Sequence, residues 1–184
     1  ALTTVGHWRS YGSVTHRGVH YGQKAHALRP LIGLPARAAM PLRPALGIHR
    51  GERADLEALR GNGWQLLDPD AVAATPSAYR DFVQGSWAEL GIAKLGYVAS
   101  RCGWFSDRSA CYLASGRPVV AQDTGFGAAL PVGDGLLAFS DEDGAVAAIE
   151  RVLSDYEHHR VAARRIAEDM LDSDVVLSRL VDDA

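Results

Sequence analysis

Residues 96–126, GYVASRCGWFSDRSACYLASGRPVVAQDTGF, decide how the rest of the chain is read. The stretch reads as one β-α-β unit. Tyr97, Val98 and Ala99 form a short apolar run that predicts a strand, and residues 101–105 supply a turn. A helix is expected from Ser106 to Gly116. Ser106 is a good N-cap, because its hydroxyl can accept an orphan N–H of the first turn. Asp107 puts negative charge at the positive end of the helix dipole. Gly116 followed by Pro118 is a stop signal. Val119, Val120 and Ala121 predict the second strand, which ends at residues 122–125. A helix N-terminus at the carboxyl end of a parallel strand is where α/β proteins bind anions, phosphates above all.

On the N-terminal side, an α/β pattern begins near residue 42. Residues 45–48 predict a strand, residues 53–60 a helix, and residues 64–67 a second strand. Pro76 opens a helix over residues 77–90, with Tyr79, Phe82, Val83 and Trp87 near a three-to-four spacing. Beyond the central unit, residues 136–139 predict a strand, and three helices follow. Ser140, Ser154 and Ser173 are their expected caps, and Ser154 with Glu157 matches a capping box. Inward stripes are expected at Val146, Ile149, Val152 and Leu153, then at Val161, Ile166 and Met170, then at Val176, Leu177, Leu180 and Val181. Strands alternating with helices predict a parallel sheet covered on both faces.

Residues 1–40 differ. They are rich in Gly, His, Arg and aromatics, including Trp8, Tyr11 and Tyr21, and show no sustained period of 2 or 3.6. They read as an extended arm or linker, with residues 41–184 as the folded domain. His16 and His20 have no third metal ligand nearby and read as exposed, hydrogen-bonding histidines.

Composition narrows the function classes. A net charge of −3 and a pI near 6.2 give no support to nucleic-acid binding by bulk charge. No apolar run approaches the ~18 residues that span a membrane, and the first residues lack a signal-peptide pattern. Cys102 and Cys111, nine apart, match neither a zinc nor a redox spacing, so a reduced, cytoplasmic setting is expected.

Chemistry concentrates in three loops expected at one sheet edge. In the first, Gly103 lets backbone approach a ligand closely, and Ser106, Ser109 and the helix N–H groups can donate to phosphate. Arg108 can neutralise a diphosphate through its forked guanidinium or pair with Asp107 or Asp123. Trp104 and Phe105 are either a wall for a base or sugar ring or core residues. The second loop carries Asp123, Thr124, Gly125 and Phe126, polar groups suited to sugar hydroxyls. The third offers Arg50, as a diphosphate contact or plain surface charge. The dinucleotide fingerprint fails, because Leu130 stands at its sixth position and Pro131 breaks the helix that must follow.

At these residues the sequence resembles the C-terminal, donor-binding half of a GT-B fold glycosyltransferase, over roughly residues 42–184. The run Trp104-Phe105-Ser106 stands for that family's Gly-Phe-Gly-type turn. Ala114-Ser115-Gly116-Arg117-Pro118-Val119-Val120 is similar to its helix end and strand. Asp123-Thr124-Gly125-Phe126 is similar to its Asp-x-Gly-Gly turn, and Gly133-Asp134-Gly135-Leu136-Leu137 to its following strand. The stretch is also similar to bacterial glycosyltransferases of unassigned substrate. Where many such enzymes carry two glutamates, this chain has Gly103 and Cys111. The resemblance implies a Rossmann-like parallel sheet with helices on both faces and a helical C-terminus. It implies a nucleoside-diphosphate sugar as donor substrate, no metal or other cofactor, and a partner in a missing N-terminal domain or a second copy. Carried over residue by residue, it puts Ser106, Asp107, Arg108 and Ser109 at the diphosphate and Asp123, Thr124 and Gly125 beside the sugar. The alternative function is a non-catalytic Rossmann-like module that docks a partner through residues 1–40.

Overall fold

The computed structural model describes residues 1–10 and 12–182, so Tyr11 of the expected arm lies outside the described residues. In chain order, β1 (Leu2–His7) leads to a hairpin of β2 (Val14–His16) and β3 (Val19–Tyr21). Short helices α1 (Lys24–Leu28) and α2 (Leu34–Arg37) precede β4 (Leu42–Gly47). Helices α3 (Arg53–Gly61), α4 (Pro69–Ala73) and α5 (Pro76–Gln84) come before β5 (Ala88–Gly91). Then α6 (Leu95–Ser100) and α7 (Asp107–Ala114) connect to β6 (Val119–Gln122). Last come β7 (Leu136–Phe139), α8 (Glu142–Ser154), α9 (Tyr156–Met170) and α10 (Ser173–Asp182).

Five strands form one parallel sheet in the order β4-β1-β5-β6-β7. The inner strands β5 and β6 are buried at every position, as parallel strands covered on both faces must be. One face packs Leu2, Leu90, Val120 and Leu137 against Leu28, Leu34, Leu59 and Ile149. The other packs Val119, Ala121 and Leu136 against Val83, Tyr112, Leu113 and Ala163. Helices α1, α2, α3 and α8 therefore cover one face, and α5, α7 and α9 the other. The expected Rossmann-like α/β class with a helical C-terminus is what the structure shows. Pro44 is tolerated inside β4 because that strand lies at the sheet's edge.

Several expectations are corrected. Residues 1–40 are not an extended arm, because β1 sits inside the sheet, and Leu28, Leu31 and Leu34 enter its core. Residues 97–99 are helical, in α6, which ends at Arg101 in the left-handed region (φ 47°). The strand of that unit is β5, which had been read as the end of a helix. Its Glu89 interrupts the apolar pattern that marks a buried strand. Residues 64–67 make only one bridge, Leu67 to Ala45, while Trp64 is buried and its indole N–H donates to the Ile32 carbonyl at 2.9 Å.

The tail caps are each one residue from their expected positions. Asp141 and Asp155, not Ser140 and Ser154, accept the first-turn N–H groups of α8 and α9. Asp172 does the same for Asp174 at the start of α10. A carboxylate is the stronger acceptor at the positive end of a helix dipole. Val161 and the apolar stripe of α10 face outward: Leu180 is 65% exposed and Val181 75%. No described helix is long and apolar enough to cross a membrane.

Candidate functional site

The chain runs from β1 outward to β4, then returns past β1 to β5. The order therefore reverses between β1 and β5, and open α/β sheets bind ligands at the carboxyl ends of strands flanking such a reversal. Here the two strands also part. β1 pairs with β4 over six residues, Leu2 to His7, but with β5 only at Leu2↔Ala88 and Thr3↔Glu89. Beyond Thr3 the carbonyls that would have bonded across the pair must find other donors. The Val5 carbonyl accepts from Arg108 Nη1 at 2.8 Å. The Ile92 carbonyl, just past β5, accepts from Lys24 Nζ.

Two cations thus fill the split, one from each face of the sheet. Lys24 reaches in from α1 and Arg108 from α7. Gly6 makes room for Lys24: a Cβ there would lie 3.2 Å from Lys24 Cε, while Arg108 Nη1 would stay at an ordinary 3.9 Å. Glu89 is fully buried and takes Arg108 Nε on Oε1 at 2.5 Å. Its other oxygen, Oε2, is buried with no hydrogen-bond partner. The surrounding chain is braced. Gln122 accepts from the Ala93 N–H at 3.1 Å and so ties β6 to the end of β5. Gln23 accepts from the Ser10 N–H at 3.2 Å and donates to the Gly12 carbonyl at 2.9 Å, holding the loop after β1. Trp8 is buried and donates to Asp55 at 2.8 Å.

Burial depresses Lys24 from its ordinary 10.5 to about 7, the Arg108 and Lys94 charges push the same way, and Glu89 opposes them. Between pH 7 and 10.5 the unfolded chain holds more protons than the folded one, so stability rises with pH through that window. Lys24→Met removes the buried amine while leaving the Ile92 carbonyl without its donor. It is expected to stabilise the free protein at pH 7 by about 1–3 kcal/mol and to flatten the rise. Urea unfolding at pH 7 and pH 9.5 measures both effects. A Met variant less stable at both values would contradict the buried-amine picture.

The structure brings two of the three loops singled out in the sequence together. The Gly103 N–H donates to the Thr124 carbonyl at 2.7 Å, and the Thr124 hydroxyl donates to the Trp104 carbonyl at 2.5 Å. Arg101 pairs with Asp123 at 3.0 Å, and Asp123 also accepts the Gly125 N–H at 2.7 Å. Phe105 meets Phe126 edge-on with ring centroids 5.5 Å apart, and Trp104 lies 4.9 Å from Tyr97. Thr124 and Phe126 are buried, so their side chains hold the loop rather than face solvent. Arg50 stays exposed after β4, with β1 and β5 between it and the turn.

At the start of α7 the predicted positions hold but their bonding differs. Ser106 is the N-cap by position, yet its hydroxyl donates to Asp107 Oδ1 at 3.3 Å rather than accepting a helix N–H. Asp107 Oδ1 takes the Arg108 N–H at 2.8 Å, so a carboxylate already occupies the positive end of the helix. Ser106 and Ser109 are buried, and Gly103 and Cys111 are exposed. Of the residues expected at a diphosphate, Arg108 is the one the fold carries into the split.

Lys24, Glu89 and Gly6 were missed by sequence reasoning. One signal was available: the chain has seventeen arginines but only two lysines, Lys24 and Lys94, and both end at the carboxyl edge of the sheet. Lysine is the cation whose pKa moves readily on burial, so its sparing use is informative. Two grooves, of about 490 and 410 Å³, open along α7 and α9 and share Ala114, Arg164 and Glu168. Neither is lined by the split. Among the described residues no group of three His, Cys, Asp or Glu side chains could hold a metal ion.

No protein family matches this sequence, and no curated protein does. Among solved structures the fold recurs in the crystal structure of Anabaena Alr3699/HepE in complex with UDP, with a TM-score of 0.63 at 13% sequence identity. The match covers 97% of this chain and 47% of that one, so the chain spans about half that protein's length. The two share the fold.

Proposed function

We propose that this chain is the donor-binding half of a glycosyltransferase, which takes the diphosphate of a nucleoside-diphosphate sugar at the carboxyl end of the β1–β5 split. The observation that carries the reading is the pair of buried cations, Lys24 and Arg108, meeting beside the bare backbone of Gly6 at the point where strand order reverses. Two supports accompany it. The motif resemblance of residues 103–126 to GT-B glycosyltransferases concerns the same sheet edge, and the solved structure of similar fold is a complex with UDP.

In sugar transfer the bond from the anomeric carbon to the diphosphate breaks, and negative charge grows on the leaving phosphate. Preorganised cations in a site of low dielectric favour that charge most. In this reading Lys24 supplies a compact charge and Arg108, anchored through Nε on Glu89 and Nη1 on the Val5 carbonyl, a fixed guanidinium, with no metal expected in this part of the chemistry. In this reading Asp123 and Gly125, beside the exposed Gly103 turn, take the sugar or nucleoside. The acceptor and the catalytic base belong to a second half, or a second copy, facing this open edge. The docking alternative loses its basis, because residues 1–40 build the sheet and its cover.

Saturation with UDP at a hundred times its Kd is expected to stabilise the protein by about 2.7 kcal/mol, or roughly 5–10 °C in Tm. Lys24→Met should weaken UDP binding by about 10- to 100-fold, the worth of one charged hydrogen bond. Calorimetric titration with UDP, GDP, TDP and ADP, and with their sugars, provides the check. Absence of binding by every one of them rejects the proposal.

A further inference from the structure

We propose that the β1–β5 split takes up a proton as it binds its anionic ligand, with Lys24 as the group that becomes charged. The inference rests on the diphosphate reading above and adds to it a coupling between ligand and pH.

The split holds its charges in a closed space. Lys24 is 6% exposed, Glu89 is fully buried, and the Arg108 side chain is 13% exposed. Arg108 is charged at any accessible pH. Its charge is matched by Glu89, which holds it on Oε1. A charged Lys24 would then be one positive charge in excess, in a region where water cannot solvate it. A neutral amine still donates one N–H to the Ile92 carbonyl and keeps that bond.

The charged groups acting on Lys24 weigh against its charge. Arg108 from α7 and Lys94 from the loop before α6 disfavour its charge, and only Glu89 from β5 favours it. On β1 the neighbour is Gly6, which brings no side chain, and His7 beyond it lies against Gly47. On its own helix the titratable group is His26, which burial and the Arg9 charge hold below its ordinary value, and the cap before the helix is the uncharged Gln23. The free site is therefore poised with Lys24 near half-protonated at neutral pH.

A diphosphate in the split reverses the balance. It brings negative charge within reach of both cations, and an opposite charge at such distance favours the ammonium strongly. The proton comes from the buffer and goes to Lys24 Nζ. No bond in the ligand changes. UDP is a clean probe at pH 8, because its terminal phosphate, with a second pKa of about 6, is already ionised there. Uptake at pH 8 is then assigned to the protein and amounts to about half a proton or more per ligand.

The sequence makes the test direct. Lysine labelled with ¹³C at Cε gives two signals, from Lys24 and Lys94, and Lys94→Arg assigns them by loss of one. In the free protein the Lys24 signal is expected to titrate near neutrality. With saturating UDP its midpoint should move up by more than about one unit. Calorimetry of UDP binding at pH 8, in buffers of different ionisation enthalpy, should report the same proton.

Three results overturn the proposal. One is a Lys24 midpoint near that of a solvated lysine in the free protein. Another is a midpoint unmoved by bound UDP, which leaves the nucleotide reading standing. The third is no binding of UDP or the other nucleoside diphosphates, which rejects the nucleotide reading and the coupling with it.

Discussion

Replacing Glu89 by leucine is expected to destabilise the protein by about 3–5 kcal/mol, the cost of leaving a buried charge without its partner. Glu89 is fully buried and bonded to Arg108 Nε at 2.5 Å, and the Arg108 side chain is only 13% exposed. With the carboxylate gone, Arg108 keeps one bond, to the Val5 carbonyl, and has no counter-charge. Lys24 loses the one group that favours its charge, so its protonation falls further. A loss of this size is a large fraction of the ~5–15 kcal/mol by which a domain is stable. The double variant Glu89→Leu/Arg108→Met removes both charges and should recover most of the loss, because a buried pair can be replaced by apolar groups at little net cost. Urea unfolding of the single and double variants forms the cycle. A Glu89→Leu cost below about 1 kcal/mol would mean that Arg108 is hydrated and turned out of the split.

Gly135→Ala is expected to cost at least about 3 kcal/mol, from overpacking added to a left-handed backbone. Gly135 has φ +75°, and a Cβ there would lie 2.3 Å from the Ala163 nitrogen and 2.7 Å from the Ala162 carbonyl carbon. Both neighbours are backbone of α9, which cannot yield by a side-chain rotation. The helix would have to withdraw from β7. That would also strain the bond from the Gly135 N–H to the buried His159 Nδ1, now 3.0 Å. Gly103→Ala is the matched control. Its φ is +76°, nearly the same, but nothing lies within 4 Å of the added atom. It should cost only about 1–2 kcal/mol, the conformational part. Thermal unfolding of the two variants separates contact from conformation, and equal losses would contradict the close approach of α9 to β7.

The parts of the fold legible in the sequence are those with local signals. Helix α7, its start after Ser106 and its stop before Gly116, follows from cap, acid and glycine within eleven residues. Strands β6 and β7 follow from short apolar runs bounded by turn residues. The first forty residues carry no such local signals. Strand β1 contains two threonines and a glycine, and its burial comes from flanking strands rather than from its own apolarity. Strand β5 was hidden by Glu89, whose presence in a buried strand makes sense only beside Arg108. The apolar stripe on α10 looked inward by periodicity, yet the described residues leave it exposed.

For the candidate site the division is sharper. From composition and motif alone the chain is expected to be an α/β protein, with candidate site residues at the carboxyl edge of a parallel sheet, around residues 101–109 and 122–126. The tertiary structure decided where on that edge the charges converge. Arg108 meets Glu89 nineteen residues back and Val5 one hundred and three back, and Lys24 meets Ile92 sixty-eight residues on. Caps and turns act over a few bonds and leave their mark in neighbouring letters. A buried charge is set by what surrounds it in space, and those partners come from strands and helices that only folding brings together.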